Sequence, residues 1–293
     1  MKKNPFDEFM ALLDLERLDE NLFRGPSRDV GTNRVFGGQV LGQALKATQH
    51  TVDNSRFIHS LHAYFLREGD HNAPIIYEVD RSRDGRSFSS RRVVAIQHGR
   101  PIFTMAASFQ VEETGLSFQQ PIPDVPGPES LKGMKDYKTK KLQGLPEKIQ
   151  QLFLHSSHFD VRPVILESSG GSDSGITRPY QHLWIKTIDT LPDNRELHTS
   201  ILAYVSDYGL LAATLIPHGI RFPDPKLQVA SIDHAMWFHH PFRMDKWVLY
   251  SCEPLSTSNA RGLARGSFFT ADGTLVASTI QEGLIRIREF SSQ

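Results

Sequence analysis

The feature that most constrains the fold is a weak internal repeat. A strand-like run, a helical run and four long strand-like runs follow each other in that order, and the order occurs twice. The segment HSLHAYFLR (59–67) resembles SIDHAMWFHH (231–240), and SRRVVAIQHGRPIF (90–103) resembles ARGSFFTADGTLVA (264–277). A duplicated unit in which one long helix covers one face of an antiparallel β-sheet is an α+β layout, and fusion of the two units produces a pseudo-dimer.

The repeat divides the chain into three parts. Residues 1–113 form an N-terminal unit, residues 114–155 a connector, and residues 156–293 a C-terminal unit. The connector contains the proline-rich run QQPIPDVPGPES and the charged run KGMKDYKTKK, and neither has the periodicity of a buried element. We therefore expect two α+β units, each with enough strands for its own sheet.

Composition excludes several classes of protein. The 293 residues carry 33 basic and 33 acidic side chains, so the chain lacks the basic excess typical of proteins that bind nucleic acid. The single cysteine, Cys252, can form neither an intramolecular disulfide nor a cysteine zinc cluster. The start MKKNPFDEF lacks the apolar core of a secretion signal, and no apolar run is expected to cross or insert into a membrane. A cytoplasmic protein is expected.

A histidine-rich segment, QVASIDHAMWFHHPF (228–242), raises the question of a metal site. On a regular strand His239 and His240 point to opposite faces, and the spacing of His234 from His240 is long for joint ligation. His234 aligns with His62 of the first repeat, which favours a structural role common to both halves. The sequence therefore predicts no metal site and no cofactor.

Six stretches spread over nearly the whole chain carry a family resemblance: VFGGQVLGQAL, HSLHAYFLREGD, RDGRSFSSRRVVAIQHGRPIF, YVSDYGLL, VASIDHAMWFHHPF and LVASTIQEG. Together they resemble the acyl-CoA thioesterase II family, the TesB type. The resemblance implies two fused hotdog folds and hydrolysis of acyl-CoA, including fatty acyl-CoA, to a free acid and CoA. It also implies a water held by Asp207, Ser231 and Gln281, although many relatives have threonine where this chain has Ser231.

The chemistry of these three residues leaves alternatives open. Asp207 lies near the edge of the apolar stripe of a predicted helix over 196–213, where it is either a solvated carboxylate or a partly buried one with a raised pKa. Ser231 shares a strand face with Asp233 by alternation, and the chain lacks the G-x-S-x-G turn of a serine nucleophile, so we expect Ser231 to orient water or substrate. Gln281 is either a structural cross-strand amide or a positioning group that donates to one oxygen and accepts from a water.

The repeat predicts one such site in each chain. Ser231 aligns with His59 and Gln281 with Ala107, so the first half lacks this hydroxyl and this amide. Structural residues should be common to both halves, whereas a site present in one half indicates function. Asp233 is the rival carboxylate, and the sequence gives it no evident catalytic partner.

Substrate binding requires donors for the oxyanion and cations for the CoA phosphates. Gly37 and Gly38, at a predicted helix start, are candidate oxyanion donors from the first half. Arg91 and Arg265 occupy matching positions in the two halves and are candidate phosphate ligands, with a solvated strand face as the alternative.

Two other functions remain possible on sequence grounds. One is a hotdog enoyl-CoA hydratase or dehydratase, which needs an acid–base pair such as aspartate with histidine. The other is a non-catalytic acyl-CoA-binding sensor. Turnover separates them, because only hydrolysis releases a free thiol. The expected partners are acyl-CoA and further copies of the chain in a dimer or tetramer.

Overall fold

A computed structural model describes residues 5–29, 34–134, 158–164, 180–220, 224 and 226–287. The elements in this part of the chain are, in order, α1 (Pro5–Leu13), β1 (Glu16–Asp19), β2 (Leu22–Gly25), α2 (Gly37–Gln49), β3 (Arg56–Phe65), β4 (Ile75–Asp84), β5 (Phe88–Gln97), β6 (Arg100–Val111), β7 (Phe159–Val164), β8 (Gln181–Thr187), α3 (Arg195–Ser206), α4 (Leu210–Ala213), β9 (Leu227–Ser231), β10 (Asp233–Phe238), β11 (Val248–Ser258), β12 (Arg261–Thr270) and β13 (Leu275–Ile287). The predicted α+β class, with one long helix and an antiparallel sheet in each half, is confirmed.

The described strands form one continuous antiparallel sheet. Their order is β1-β2-β4-β5-β6-β3-β10-β13-β12-β11-β8-β7, and β9 pairs with β13. The two halves are therefore joined edge to edge through β3 and β10, so the sheet of each repeat continues into the other. This junction covers one edge strand of each half, which would otherwise present unpaired backbone groups.

The register between β3 and β10 corrects the repeat alignment. His62 lies opposite Ala235 and Ala63 lies opposite His234, and directly opposite residues share a face of the sheet. His62 is exposed, whereas His234 and Ala63 are buried on the other face. A structural role common to His62 and His234 is therefore wrong. With Ala107 aligned to Gln281, Leu61, which lies opposite Ala107 and is buried, takes the position of His234 in the first half.

Helices α2 and α3 pack against each other on the buried face of the sheet. Glycine lets them approach closely, since a Cβ added to Gly38 would lie 2.2 Å from the Tyr204 carbonyl oxygen. A Cβ on Gly42, one turn later, would lie 3.0 Å from the Ser200 carbonyl oxygen. Gly38 and Gly42 of VFGGQVLGQAL thus serve the crossing of two helices, one from each half.

The helix predicted over 196–213 is broken between Ser206 and Leu210. Helix α3 ends at Ser206, Asp207 follows with φ −82° and ψ 0°, and Gly209 has φ 72° before α4 begins. Left-handed backbone at a glycine ends a helix, so Asp207 is a helix C-cap and not a residue on a helical stripe.

The segment Arg195–His218 is long and apolar enough to cross a membrane, contrary to expectation, yet 72% of its most apolar window is buried in the protein. Core packing accounts for its apolar character.

The described part of the connector packs on the outer face of the C-terminal half. Ile122 and Val125 contact a small cluster built on Trp184, whose indole N–H donates to the Pro126 carbonyl oxygen at 2.9 Å. Residues 135–155 of the expected connector lie outside the described residues.

Candidate active site

Asp207, Ser231 and Gln281 come together at one point. The Gln281 Nε2 donates to Asp207 Oδ1 at 2.7 Å and to Ser231 Oγ at 2.9 Å. The Ser231 hydroxyl lies 3.4 Å from Asp207 Oδ1, at the long end of hydrogen-bonding distance. The three side chains come from the end of α3, the end of β9 and the middle of β13, so each depends on a different element of the C-terminal half.

A fourth contribution comes from the N-terminal half. The Gly38 N–H, in the first turn of α2, donates to Asp207 Oδ2 at 2.9 Å. The positive end of a helix stabilises a nearby carboxylate. Gly37 is equally close, since a Cβ there would lie 2.7 Å from Asp207 Oδ2. Because Asp207 already accepts the Gly38 N–H, this donor is not free for an oxyanion, which corrects that expectation for Gly38.

The pKa of the Asp207 carboxyl is raised toward neutral pH. Burial raises its pKa to about 6, against the opposing effects of hydrogen bonds from Gln281, Gly38 and Ser231. Burial disfavours the charged form, whereas donors to the carboxylate favour it. A carboxyl with this pKa is ionised near neutral pH and remains basic enough to accept a proton from water.

A β-bulge aims Ser231 at the other two residues. The strand predicted over 227–238 is interrupted at Ile232, and three residues between Ser231 and Ala235 face two residues of β13. The extra residue reverses the alternation, so Ser231 points toward α3 and not to the face of Asp233. The expected common face is therefore wrong, for the physical reason that a bulge shifts the side-chain pattern by one position.

His234 holds the end of α3 in place through hydrogen bonds. Its Nε2 lies 2.8 Å from Ser206 Oγ and 3.0 Å from Thr279 Oγ1, and the Tyr250 hydroxyl donates to the Ser206 carbonyl oxygen at 2.7 Å. Burial lowers the pKa of His234 to about 3, so the ring is neutral. These contacts hold the residue directly before Asp207. In the described part of the chain no group of three or more His, Cys, Asp or Glu side chains is arranged to hold a metal ion.

Neither predicted phosphate ligand is placed at this site. Arg91 is 2% exposed, and its guanidinium N–H groups donate to oxygens of four residues, Thr51, Arg83, Asp84 and Ser90. A buried arginine with these partners stabilises the fold, so its assignment to CoA is corrected. Arg265 pairs with Glu253 on the outer face of the sheet, whereas Gln281, opposite Ala264, points to the inner face.

An aromatic wall beside Asp207 was missed by the sequence analysis. Phe36 packs against Tyr204 and Tyr208, with ring centroids 5.1 and 5.3 Å apart, and Phe65 lies next to Gly37. The available signal was the position of both tyrosines around Asp207 in YVSDYG. These rings contribute to the burial that raises the pKa of Asp207, and they give the site an apolar side.

The first half has no equivalent set at the corresponding positions. With Ala107 aligned to Gln281 as in the sequence repeat, Ile58, which lies opposite Phe109, becomes the counterpart of Ser231, which lies opposite Gly283. Both Ile58 and Ala107 are buried apolar residues. The C-cap of α2 is His50, where α3 has Asp207. The match of Ser231 with His59 in the sequence repeat is therefore wrong by one residue.

Comparisons with known proteins agree over nearly the full length. A family model described as acyl-CoA thioesterase matches residues 149–284, and one described as acyl-CoA thioesterase N-terminal domain matches residues 24–110. The chain is 42% identical to acyl-CoA thioesterase 2 of Haemophilus influenzae, over 97% of this chain and 98% of that protein.

The crystal structure of acyl-CoA thioesterase II TesB2 from Mycobacterium marinum has a TM-score of 0.78 and 39% identity, covering 95% of this chain and 98% of that one. A hot dog fold protein from Alicyclobacillus acidocaldarius, at 17% identity, has a TM-score of 0.73 and covers 98% of this chain and 100% of that one. The predicted double hotdog fold is confirmed.

Proposed function

Because the chain belongs to the acyl-CoA thioesterase family, we propose that it hydrolyses acyl-CoA by direct attack of a water held by Asp207, Ser231 and Gln281. The observation that carries the proposal is the Asp207 carboxylate, whose pKa is raised to about 6 and which is contacted by an amide, a hydroxyl and a backbone N–H. Such a carboxylate is a general base whose position is fixed from three sides.

The reaction follows from the roles of these groups. Asp207 accepts a proton from water, the water oxygen attacks the thioester carbonyl carbon, and the carbon–sulfur bond breaks with its electron pair leaving on sulfur. The proton held by Asp207 then passes to the thiolate, which restores the starting carboxylate. A thiolate is a good leaving group, so the step needs no strong general acid.

Gln281 and Ser231 orient the water. The Gln281 amide nitrogen is engaged with Asp207 and Ser231, whereas its buried Oε1 has no hydrogen-bond partner among the described residues. That oxygen is an acceptor for one O–H of the water. The Ser231 oxygen accepts from Gln281, so its own O–H remains available for Asp207 or the water.

The oxyanion requires an N–H donor near the carbonyl. Gly37 is the first residue of α2, and within the described part of the chain its N–H makes no hydrogen bond, as is usual at a helix start. We assign this donor to the oxyanion, since it lies beside the carboxylate and belongs to the positive end of the helix.

The two rival functions fit this site less well. A hydratase or dehydratase needs a titrating acid–base pair, and His234, which contacts the residue before Asp207, is held neutral with its Nε2 on Ser206 and Thr279. A non-catalytic sensor has no use for a carboxyl with a raised pKa beside a hydroxyl and an amide. Cytoplasmic location and assembly into dimers or tetramers remain predictions from the sequence.

Thiol release tests the proposal. Wild type and Asp207→Asn are compared on a series of acyl-CoAs of increasing chain length, with a chromogenic thiol reagent. We expect release by wild type and a loss of at least about 100-fold in kcat for the variant, as for removal of a general base. Full activity of the variant contradicts the role of Asp207, and no release by folded wild type favours the sensor or the hydratase.

The number of sites is a separate test. The proposal gives each chain one site, because the first-half counterparts Ile58 and Ala107 carry no hydrogen-bonding side chains. Titration with a non-hydrolysable acyl-CoA should reach one equivalent per chain, and two equivalents would contradict this.

A further inference from the structure

The β-bulge beside Ser231 leaves one backbone donor of β13 without a strand partner. This donor is the Glu282 N–H, and it is taken by the Asp233 carboxylate, whose Oδ1 accepts it at 2.7 Å. Bulges disrupt the ladder locally, and the unpaired groups require other partners. A side chain from β10 thus replaces the missing backbone acceptor.

The contact belongs to a closed set of hydrogen bonds around the bulge. The Ile232 N–H donates to the Glu282 carbonyl oxygen at 3.0 Å, and the Ile232 carbonyl oxygen accepts the Phe65 N–H at 2.9 Å. Both peptide groups of Ile232 and the N–H of Glu282 are therefore fixed. The bulged backbone has one set of partners on β13 and another on β3 of the first half.

Two residues of the candidate site are attached directly to this set. Ser231 precedes Ile232, and Gln281 precedes Glu282. The 2.9 Å contact between Gln281 Nε2 and Ser231 Oγ exists because the extra residue turns Ser231 to the inner face. A regular strand would direct that hydroxyl away from Asp207.

We propose that Asp233 is a positioning residue for thioester hydrolysis, whose carboxylate oxygen holds the bulge that aims Ser231 at Asp207 and Gln281. The inference rests on the proposed function, since it assigns Asp233 a part in orienting the water. Asp233 acts through the backbone of Glu282 and makes no side-chain contact with the three residues.

This role requires a hydrogen-bond acceptor and not a negative charge. The amide oxygen of asparagine has the same shape and reach as the carboxylate oxygen, so Asp233→Asn retains the contact with the Glu282 N–H. Asp233→Ala removes it and leaves that donor unpaired. A general base, in contrast, would be lost in both variants.

The experiment measures kcat, KM and Tm for wild type, Asp233→Asn and Asp233→Ala. We expect kcat of the alanine variant to fall at least about 10-fold with KM within about 3-fold of wild type, since misplacement of reacting groups lowers the rate more than binding. The asparagine variant should keep kcat within about 3-fold. If Asp233→Ala does not fold, Asp233→Val, with a higher strand preference, replaces it.

A matched control separates positioning from stability. The Asp245 carboxylate also accepts a backbone N–H, that of Leu191 at 3.1 Å, and it pairs with Arg243, but Leu191 is adjacent in sequence to neither Ser231 nor Gln281. Asp245→Ala should lower Tm and leave kcat unchanged. An unchanged kcat in Asp233→Ala, or equal losses of kcat in Asp233→Asn and Asp233→Ala, overturns the inference.

The same assay distinguishes failure of the inference from failure of the proposed function. Asp207→Asn is measured alongside the other variants. If it is inactive while Asp233→Ala is fully active, only the positioning role is wrong. If Asp207→Asn is active, the proposed function fails and the positioning role fails with it.

Discussion

The Gly38 N–H donates to the Asp207 carboxylate at 2.9 Å, although the two residues are 169 positions apart and belong to different repeats. The candidate site is therefore assembled from both halves, with the carboxylate from one and a helix start from the other. This arrangement explains why α2 and α3 must cross closely, and why α2 begins with two glycines where the other described helices begin with bulkier residues.

Gly37→Ala should lower activity with the fold intact. The added Cβ would lie 2.7 Å from Asp207 Oδ2, so the carboxylate must move away from its three donors. We expect kcat to fall about 10- to 100-fold, as for a displacement of about 1 Å in a reacting group. Ala47→Gly is the control, because it weakens the same helix by about 1 kcal/mol at a position remote from its start. Equal losses of kcat in the two variants would refute the explanation.

The family resemblance predicts both the residues of the site and their joint contact with one water, but it does not predict the backbone geometry that brings them together. Asp207, Ser231 and Gln281 lie in stretches with a strong family resemblance. Their geometry depends on the helix break at Gly209 and on the bulge at Ile232, and both interrupt the periodicities from which faces are predicted.

The basic residues show a different limit of sequence analysis. Arg91 belongs to the densest arginine run of the first half, and a count of charges cannot distinguish a phosphate ligand from a buried arginine with internal partners. The fold class was easier to predict, since a repeat of strands and helices is a property of long segments and tolerates an alignment error of one residue.

The pH dependence of the rate follows from the pKa of Asp207. Burial raises this pKa to about 6, and the group acts as a base only when it is deprotonated. The rate kcat should therefore be constant above about pH 7 and fall toward tenfold per pH unit below about pH 6. Buffers from pH 4.5 to 8.5, with thiol release followed at a wavelength insensitive to pH, give the profile. A rate that stays flat down to pH 4.5 would exclude a base with this pKa.

Ser231→Ala and Ser231→Thr should differ sharply in rate. The Ser231 hydroxyl accepts from Gln281 at 2.9 Å and lies 3.4 Å from Asp207, so alanine removes one contact to the water and one to each neighbour. We expect a loss of about 10-fold or more in kcat for alanine, and retention within about 3-fold for threonine, which keeps the hydroxyl and restricts its rotamer. Steady-state kinetics at saturating acyl-CoA measure kcat of the two variants. Equal activity in both variants would mean that the hydroxyl does not orient the water.

His234 should make the fold sensitive to acid. Burial lowers its pKa to about 3, whereas the unfolded chain binds a proton on this ring below about pH 6.5, so stability is present above that pH and is lost as pH falls. Between pH 7 and 5 this group alone should reduce the free energy of unfolding by about 2 kcal/mol. Urea unfolding of wild type and His234→Gln at both pH values measures the difference. The raised pKa of Asp207 changes the stability with pH in the opposite direction. Because Asp207 is present in both proteins, its effect cancels in the comparison.

The outcome that would contradict the role of His234 is an equal pH dependence of wild type and His234→Gln. Glutamine is the chosen replacement because its amide reaches Ser206 and Thr279 with a donor and an acceptor, and it does not titrate. The comparison therefore removes the proton and keeps the hydrogen bonds that hold the end of α3.

Ala260→Gly should stabilise the protein without affecting the reaction. Asn259 and Ala260 form the two-residue turn between β11 and β12, with φ values of 48° and 55°, which is the pattern of a type I′ turn. An alanine in left-handed backbone costs about 1 kcal/mol, and glycine relieves it, so we expect Tm to rise by about 2 °C. Gly99→Ala is the opposite experiment, because Gly99 has φ 69° in the β5–β6 turn and an added Cβ meets no atom within 4 Å. It should lower Tm by a similar amount through backbone strain alone, and changes of the same sign in the two variants would show that turn conformation does not control stability here.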